Sequence, residues 1–286
     1  MNYISATLPA GLALLALIAP GAPAGDATDS KSFVYQKTKQ GDLSMEVHFP
    51  PGWKKEDKRP AIVFFFGGGW TNGTPKQFEP QARYLAGRGM VAVRADYRVK
   101  SRHKVTPVEC VLDARAAIRW VRKNAATLGV DADKIVAAGG SAGGHIAACT
   151  ALGAPLPGED TAVSCKPSAL VLFNPVLRFE GLPDLVKRLG DNAKLAHALS
   201  PTLFLSKQSP PTILFYGNQD RLLAQGEEFL AQAKKHGARG EVFLADGVGH
   251  GFFNRSPWQE KTLRRADEFL ASLGYLQGPP TIKDAR

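Results

Sequence analysis

Cysteine is scarce in this sequence of 286 residues, which has only Cys110, Cys149 and Cys165. Three cysteines are too few for a scaffold built on disulfides, although Cys149 and Cys165 could pair in an oxidising compartment and leave Cys110 free. Neither the cysteines nor the six histidines show the ligand spacing of a zinc site. The sequence therefore predicts no metal centre and no cofactor.

Charged side chains are absent from the first 24 residues. An apolar run occupies residues 8–19, and small residues follow it up to Ala24. Because the run is shorter than the roughly 20 apolar residues that cross a bilayer and contains Pro9, no stable membrane span is predicted. The pattern is typical of a signal peptide at residues 1–24, with cleavage after Ala24 and a secreted or periplasmic product.

Acidic residues are outnumbered, since 26 Asp and Glu face 36 Lys and Arg and leave a net charge of +10. The basic residues are scattered and lack interleaved stacking aromatics, so we interpret them as a solvated surface and predict no nucleic-acid partner. No linker rich in proline, glycine or serine divides the chain. We expect one domain at residues 25–278 and a loose tail at 279–286, while the oligomeric state is not readable.

Short apolar runs alternate with helical patterns along the chain, which is typical of βαβ units. Nearly continuous runs suit strands that are buried on both faces, and they lie at residues 61–66, 90–95, 134–139, 169–173 and 212–216. Residues 43–49 alternate like an edge hairpin strand, and residues 241–245 supply a last strand. The predicted fold class is α/β, a mostly parallel central sheet flanked by helices on both faces.

Two further segments can be placed from local chemistry. Thr106, Pro107 and Glu109 form a capping box, which predicts a helix to about residue 125. Residues 174–211 are too many for an ordinary loop between strands, and we expect a cap-like excursion there. Its leucines and basic residues could line a substrate pocket or merely cover the domain.

A serine follows a predicted strand and precedes a predicted helix. Gly139, Ser141 and Gly143 have the G-x-S-x-G spacing of a nucleophile elbow, in the strand, turn and helix context that this motif requires. The glycines permit a sharp turn and a close approach of neighbouring backbone. Ser141 is therefore the predicted nucleophile, and the backbone N–H of Ala142 can stabilise an oxyanion.

A second glycine cluster, at residues 67–69, follows another strand and offers a row of backbone N–H groups. A phosphate-binding loop is the alternative interpretation of this cluster. That alternative is excluded because no GK[ST] sequence follows and no acidic residue has the spacing of a ribose ligand. The cluster is therefore predicted to stabilise an oxyanion.

The predicted base is His250, which lies in a glycine-rich turn after the last strand. His145 lies on the helix that follows Ser141 and is interpreted as a packing or helix-face residue, and the other histidines as surface residues. Asp220 follows the strand at 212–216 and completes the order Ser, Asp, His. Asp246, close to His250 in the chain, is the rival carboxylate, and Asp191 lies in the excursion.

Several motifs together carry a resemblance to a known family: residues 64–70 (FFFGGGW), 95–98 (ADYR), 113–122 (DARAAIRWVR), 139–144 (GGSAGG), 217–220 (GNQD) and 249–252 (GHGF). Over nearly all of the mature length, the chain resembles α/β-hydrolases of the hormone-sensitive-lipase and feruloyl and acetyl esterase-like branch. The resemblance implies a serine carboxylic-ester hydrolase. It also implies oxyanion donors at Gly68, Gly69 and Ala142, and acetyl or aromatic acyl esters, often of carbohydrate, as substrates.

One position departs from this family, which usually has histidine before the three glycines, where this chain has Phe66. Phenylalanine cannot make the hydrogen bonds of that histidine. Two alternatives to an esterase stay open at this point. One is a relative that cleaves amides, either a peptidase or an arylformamidase, and the other is a catalytically silent binding protein with the same fold.

Overall fold

A computed structural model describes residues 29–283, and the predicted signal peptide at residues 1–24 lies outside the described residues. Within residues 29–283 the chain forms eight strands. They are β1 (Ser30–Thr38), β2 (Gly41–His48), β3 (Arg59–Phe65), β4 (Val91–Ala95), β5 (Val130–Gly140), β6 (Ala169–Phe173), β7 (Thr212–Gly217) and β8 (Gly240–Ala245). The nearly continuous apolar runs of the sequence fall in β3 to β7.

The strands form one sheet in the order β1, β2, β4, β3, β5, β6, β7, β8. Strand β2 is antiparallel to β1 and to β4, and the remaining pairs are parallel. This sheet confirms the predicted α/β class. The hairpin strand predicted at residues 43–49 is present as β2 and pairs with β1, but its expected place at the edge is wrong, because β1 takes the edge itself. Most of β1 is polar and exposed, so it has no buried pattern to detect in the sequence.

The helices described are α1 (Glu79–Gly87), α2 (Lys100–His103), α3 (Pro107–Lys123), α4 (Ala125–Leu128), α5 (Ala142–Cys149), α6 (Pro183–Val186), α7 (Ala193–Ala198), α8 (Leu223–His236) and α9 (Trp258–Ser272). The predicted capping box of α3 is confirmed. The Thr106 hydroxyl accepts a hydrogen bond from the Val108 N–H, and the Glu109 carboxylate accepts one from the Thr106 N–H at 2.8 Å.

Two hydrophobic clusters bury the two faces of the sheet. Strand β3 contributes to both, since Val63 and Phe65 point into one cluster and Ile62 and Phe64 into the other. Helices α3, α5 and α8 pack on the first face, and helices α1 and α9 on the second. Burial on both faces explains why these strands read as continuous apolar runs. The parallel pairing of β3 to β8 places the carboxyl ends of these strands at one edge of the sheet, where open α/β sheets build their sites.

The excursion at residues 174–211 consists of helices α6 and α7 and two short 3-10 helices, Lys187–Leu189 and Pro201–Phe204. Leu189 and Leu199 of this excursion are buried. Within residues 29–283, no helix has both the length and the apolar character needed to cross a bilayer. The described part of the expected loose tail, residues 279–283, forms neither helix nor strand and is hydrogen-bonded to Tyr84 of α1 and Arg264 of α9.

All three cysteines are free thiols. The Cys149 Sγ lies 3.4 Å from the His145 Nε2, and the Cys165 thiol donates to the Thr150 carbonyl, so the structure does not contain the pairing that an oxidising compartment could produce. Burial raises the pKa of Cys149 to about 12. This thiol is therefore protonated at neutral pH and is a poor nucleophile.

Candidate active site

Ser141 stands between the end of β5 and the start of α5. Its backbone has φ 53° and ψ −118°, an uncommon conformation for a residue with a side chain. The flanking glycines make room for it. A Cβ on Gly143 would stand 2.1 Å from the Phe65 carbonyl oxygen, and a Cβ on Gly139 would stand 2.4 Å from the Gly143 carbonyl oxygen. The predicted elbow therefore has the backbone geometry that its sequence pattern indicates.

Three side chains predicted to act together are in hydrogen-bonding contact. The His250 Nε2 lies 2.8 Å from the Ser141 Oγ, and the His250 Nδ1 lies 2.8 Å from the Asp220 Oδ2. The Asp220 side chain is fully buried, and its other oxygen accepts a hydrogen bond from the Leu222 N–H at 2.9 Å. A carboxylate fixed in this way holds the imidazole with Nε2 directed at the serine.

Neither rival carboxylate is hydrogen-bonded to His250. Asp246 accepts a hydrogen bond of 2.5 Å from the Asn218 side chain, on the loop between β7 and α8. Asp191 lies in the excursion, where its N–H donates to the Val186 carbonyl. Only Asp220 makes a hydrogen bond to His250 among the carboxylates of residues 29–283.

The predicted donor row lies beside the serine. A Cβ built on Gly67 would be 3.4 Å from the Ser141 Cβ, so the glycine loop and the elbow are in contact. Gly68 and Gly69 have φ values of 123° and 61°, conformations that favour glycine. Ala142 is the first residue of α5, and the N–H groups of a helix's first turn have no partner within the helix.

Phe66 takes the place of the family's histidine and is fully buried. Its ring stacks on Tyr97, with centroids 4.1 Å apart and planes at 18°. The Tyr97 hydroxyl donates a hydrogen bond of 2.7 Å to the Phe66 carbonyl. In this chain an aromatic stack and a tyrosine hydroxyl therefore fix the start of the glycine loop.

Gln77 connects the glycine loop to the loop that carries the histidine. Its Oε1 accepts a hydrogen bond of 2.6 Å from the Gly67 N–H, and its Nε2 donates one of 3.0 Å to the Asn254 Oδ1. Asn254 in turn donates to the Gly251 carbonyl at 2.9 Å. This chain of contacts was not predicted, because Gln77 belongs to no motif and its partners are distant in sequence.

Asn174 is a second side chain that sequence reasoning missed. It is fully buried, has φ 37°, and accepts a hydrogen bond of 2.9 Å from the Gly251 N–H. Its Nδ2 lies 3.5 Å from the His250 Nε2. Its place directly after β6, at the carboxyl edge of the sheet, is the one sequence signal that could have indicated it.

His145 packs below the site, as the sequence predicts. Its Nδ1 accepts a hydrogen bond from the Trp70 indole at 3.3 Å, and its Nε2 donates to the Leu199 carbonyl at 2.8 Å. Burial lowers the pKa of His145 to about 4. The imidazole is therefore neutral at physiological pH and contributes hydrogen bonds, not charge.

The interpretation of the remaining histidines as surface residues is wrong for His48. Its side chain is fully buried at the end of β2, where its Nε2 accepts a hydrogen bond of 3.1 Å from Arg94. Burial, helped by the Arg94 charge, lowers the pKa of His48. A strand position next to a buried arginine explains its location, which the local sequence does not reveal.

The excursion reaches the glycine loop through Arg188. Its guanidinium donates a hydrogen bond of 2.7 Å to the Gly69 carbonyl and lies over the Trp70 ring, 5.5 Å from its centroid. A charged donor on this carbonyl fixes the orientation of the following peptide. Among residues 29–283, no group of three or more His, Cys, Asp or Glu side chains is arranged to hold a metal ion.

Comparison with known proteins gives relatives over nearly the whole described chain. Esterase 2 of Thermogutta terrifontis, in a structure phosphoramylated by tabun, has a TM-score of 0.82 and 46% identity, covering 91% of this chain and 97% of that chain. The same esterase with butyrate bound has a TM-score of 0.81 and 45% identity, covering 91% of this chain and 97% of that chain.

Sequence relatives are also named as esterases. Esterase LipQ of Mycobacterium tuberculosis is 30% identical over 211 residues, which are 65% of this chain and 49% of that protein. Carboxylesterase NlhH of the same species is 39% identical over 111 residues, which are 38% of this chain and 34% of that protein. The chain spans about half the length of LipQ and a third of NlhH.

A family model described as BD-FAE matches residues 45–190, which include the glycine loop and the elbow. This match covers about half of the chain, and the structural relatives extend the likeness to the strands that carry Asp220 and His250. The chain therefore belongs to the BD-FAE family of α/β-hydrolase-fold esterases, in the branch that resembles hormone-sensitive lipase.

Proposed function

We propose that this protein hydrolyses small carboxylic esters through an acyl-enzyme formed on Ser141. The observation that carries the proposal is the alignment of Ser141, His250 and Asp220 through two contacts of 2.8 Å. Such an alignment lets an imidazole take the serine proton at the moment of attack. The esterase relatives that form covalent organophosphorus adducts support the same chemistry.

In the first half of the proposed cycle, the Ser141 Oγ bonds to the ester carbonyl carbon while its proton passes to the His250 Nε2. Gly68, Gly69 and Ala142 supply the N–H groups for the oxygen that becomes negative, and each such donor is worth about 3 kcal/mol. The bond from carbon to the alcohol oxygen then breaks. The alcohol leaves with the proton from His250, and the acyl group stays on Ser141.

In the second half, water replaces the alcohol. His250 takes a proton from the water, the water oxygen bonds to the acyl carbon, and the carbon to Ser141 Oγ bond breaks as the proton returns to the serine. Asp220 keeps its charge throughout and stabilises the imidazolium at each stage. Because the carboxylate is buried and hydrogen-bonded at both oxygens, it is suited to that role.

We propose that the acyl group of the substrate is a short chain. The family resemblance implies that aromatic acyl groups, and esters of carbohydrate alcohols, are also substrates. Support comes from the esterase of Thermogutta terrifontis, which has been solved with propionate and with butyrate bound. The amide-cleaving and catalytically silent alternatives have no comparable relative among the proteins named above.

The test combines active-site labelling with turnover. A fluorophosphonate probe should label the protein, and 4-nitrophenyl acetate, propionate and butyrate should be hydrolysed. Ser141→Ala should abolish labelling and lower kcat by several orders of magnitude. Ser32→Ala, on the exposed edge strand, is the matched control and should keep both. Labelling of Ser141→Ala, or its full turnover, would contradict the proposal.

We also propose that the mature protein is exported and begins at Gly25. The basis is the uncharged, apolar stretch that precedes Ala24. Amino-terminal sequencing of protein recovered outside the cytoplasm should give Gly25 as the first residue. An intact Met1 on protein kept in the cytoplasm would refute this.

A further inference from the structure

A cleft of about 620 Å³ lies beside the glycine loop, and Gly69 and Trp70 form part of its wall. Its rim is cationic. Two basic side chains come from the segment after β4, and two come from the excursion: Lys100, Lys104, Lys187 and Arg188. No aspartate or glutamate is among its lining residues. The cleft therefore concentrates positive charge next to the proposed oxyanion donors.

The charge of this cleft is not neutralised by the protein. Within the described chain, none of the four basic side chains forms an ion pair with a carboxylate. All four are exposed. Four like charges around one concavity repel one another, and an anion placed among them relieves that repulsion.

The basic residues that line a second cleft are paired with carboxylates. This cleft has a volume of about 430 Å³ and is lined by Arg98, Arg119 and Lys123 among other residues. Each of these three has a carboxylate partner, at 2.7, 2.5 and 3.3 Å: Asp113, Glu159 and Asp160 respectively. The absence of carboxylate partners therefore distinguishes the first cleft from the second.

The cleft is physically joined to the site. Arg188 holds the Gly69 carbonyl at 2.7 Å while its guanidinium lies over Trp70. Buried Val105 and Pro107 provide an apolar floor between the charged groups. A ligand in this space would contact both an apolar surface and cations, next to the loop that is proposed to hold the reacting carbonyl.

We infer that this cleft binds a carboxylate carried by the ester substrate, at a distance from the ester bond that is cleaved. The protein then prefers esters of carboxylate-bearing compounds to neutral esters of the same shape. This inference rests on the proposed function and adds the substrate class to it. A lysine contributes a point charge to such a site, and an arginine can add paired hydrogen bonds.

The test uses pairs of substrates that are similar in size and shape and differ in charge. For a carboxylate on the alcohol side, 4-acetoxybenzoate is compared with 4-acetoxybenzamide. For a carboxylate on the acyl side, mono-4-nitrophenyl adipate is compared with its primary amide. The ratio of kcat/KM, anionic over neutral, should be well above one in at least one pair and should fall as salt is added. A ratio of one or less in both pairs overturns the inference.

A matched pair of triple variants assigns the preference to the cleft. In one, Lys100, Lys104 and Lys187 are each changed to glutamine, and Arg188 is kept because it contacts the glycine loop. In the other, exposed Lys54, Lys55 and Lys58 are changed to glutamine, which gives the same change in net charge. The first should lower the anionic-to-neutral ratio about tenfold, and the second should leave it unchanged.

Equal ratios in the two triple variants overturn the inference, because the preference would then come from overall charge. Failure of the proposed function looks different. In that case neutral and anionic esters are both left intact, and the fluorophosphonate probe does not label Ser141. If the probe labels Ser141 and neutral esters are hydrolysed with no preference for charge, the proposed function stands and only the inference that the cleft binds a carboxylate is overturned.

Discussion

The Gln77 side chain donates a hydrogen bond of 3.0 Å to Asn254, a residue 177 positions later in the chain. Gln77 also accepts from the Gly67 N–H, and Asn254 also donates to the Gly251 carbonyl. Together the two amides join the loop of proposed oxyanion donors to the loop of His250. The proposed oxyanion donors and the proposed base are thus connected by two side chains outside the Ser141, His250 and Asp220 set.

Removal of Gln77 should therefore lower turnover without unfolding the protein. We expect Gln77→Ala to reduce kcat by about 10-fold to 100-fold, with a smaller change in KM, because donors displaced by a fraction of an ångström stabilise the transition state less well. Asn254→Ala should act in the same direction. In a double-mutant cycle, the losses should be less than additive. Gln277→Ala, an exposed glutamine outside the site, should behave like the parent.

Asp220 and Asp246 provide a direct comparison of two carboxylates. Asp220→Asn should lower kcat by about 10⁴-fold, because an amide cannot hold the imidazole in the tautomer that accepts the serine proton. Asp246→Asn loses only its contact with Asn218 and should keep kcat within about threefold of the parent. Steady-state kinetics on 4-nitrophenyl acetate measures both. A large loss in the Asp246 variant alone would reverse the assignment.

The stack of Phe66 on Tyr97 should contribute to the free energy of unfolding. Tyr97→Phe keeps the ring but removes the donor to the Phe66 carbonyl, and we expect the free energy of unfolding to fall by about 1 to 3 kcal/mol. Phe66→Ala should cost more, about 3 to 5 kcal/mol, because it empties a fully buried ring site. Urea denaturation measures both. Tyr275→Phe, at a half-buried tyrosine outside the stack, is the control.

His145 should make stability depend on pH. Its folded-state pKa of about 4 lies below the ordinary value of 6.5, so the unfolded chain binds more protons between these pH values. The contribution of His145 is thus fully present above pH 6.5 and is lost as the pH falls towards 4. The slope should approach about 1.4 kcal/mol per pH unit in that window. His145→Gln should flatten it, and an unchanged slope would show that another group is responsible.

Much of the fold could be predicted from the sequence, because its main helices and strands have recognisable local sequence patterns. Strands buried on both faces leave unbroken apolar runs, and the capping box of α3 places its own start. The elbow at Ser141 was predictable for a similar reason, since its glycines are required by backbone contact. Asp220 and His250 could be placed because each follows a strand whose end lies at the same edge of the sheet.

The features that could not be predicted from the sequence depend on contacts between distant segments. Strand β1 is mostly polar and exposed, so only its pairing with β2 defines it. His48 is buried because Arg94 of β4 lies against it, and Gln77 is informative only once Asn254 is beside it. The hydrogen bond from Arg188 to the Gly69 carbonyl was also not predictable, because nothing in the sequence of the excursion indicates that acceptor.

The close approach of Gly143 to the end of β3 has a further implication for engineering. Since main chain touches main chain there, with no room for even one methyl group before the Phe65 carbonyl, the spacing between the serine and the end of β3 is set by the sheet itself. Side chains around the pocket can therefore be exchanged to admit bulkier or differently charged esters without retuning that spacing. Libraries that vary the excursion but keep Asn174, Arg188 and both glycine motifs should retain a high proportion of active members.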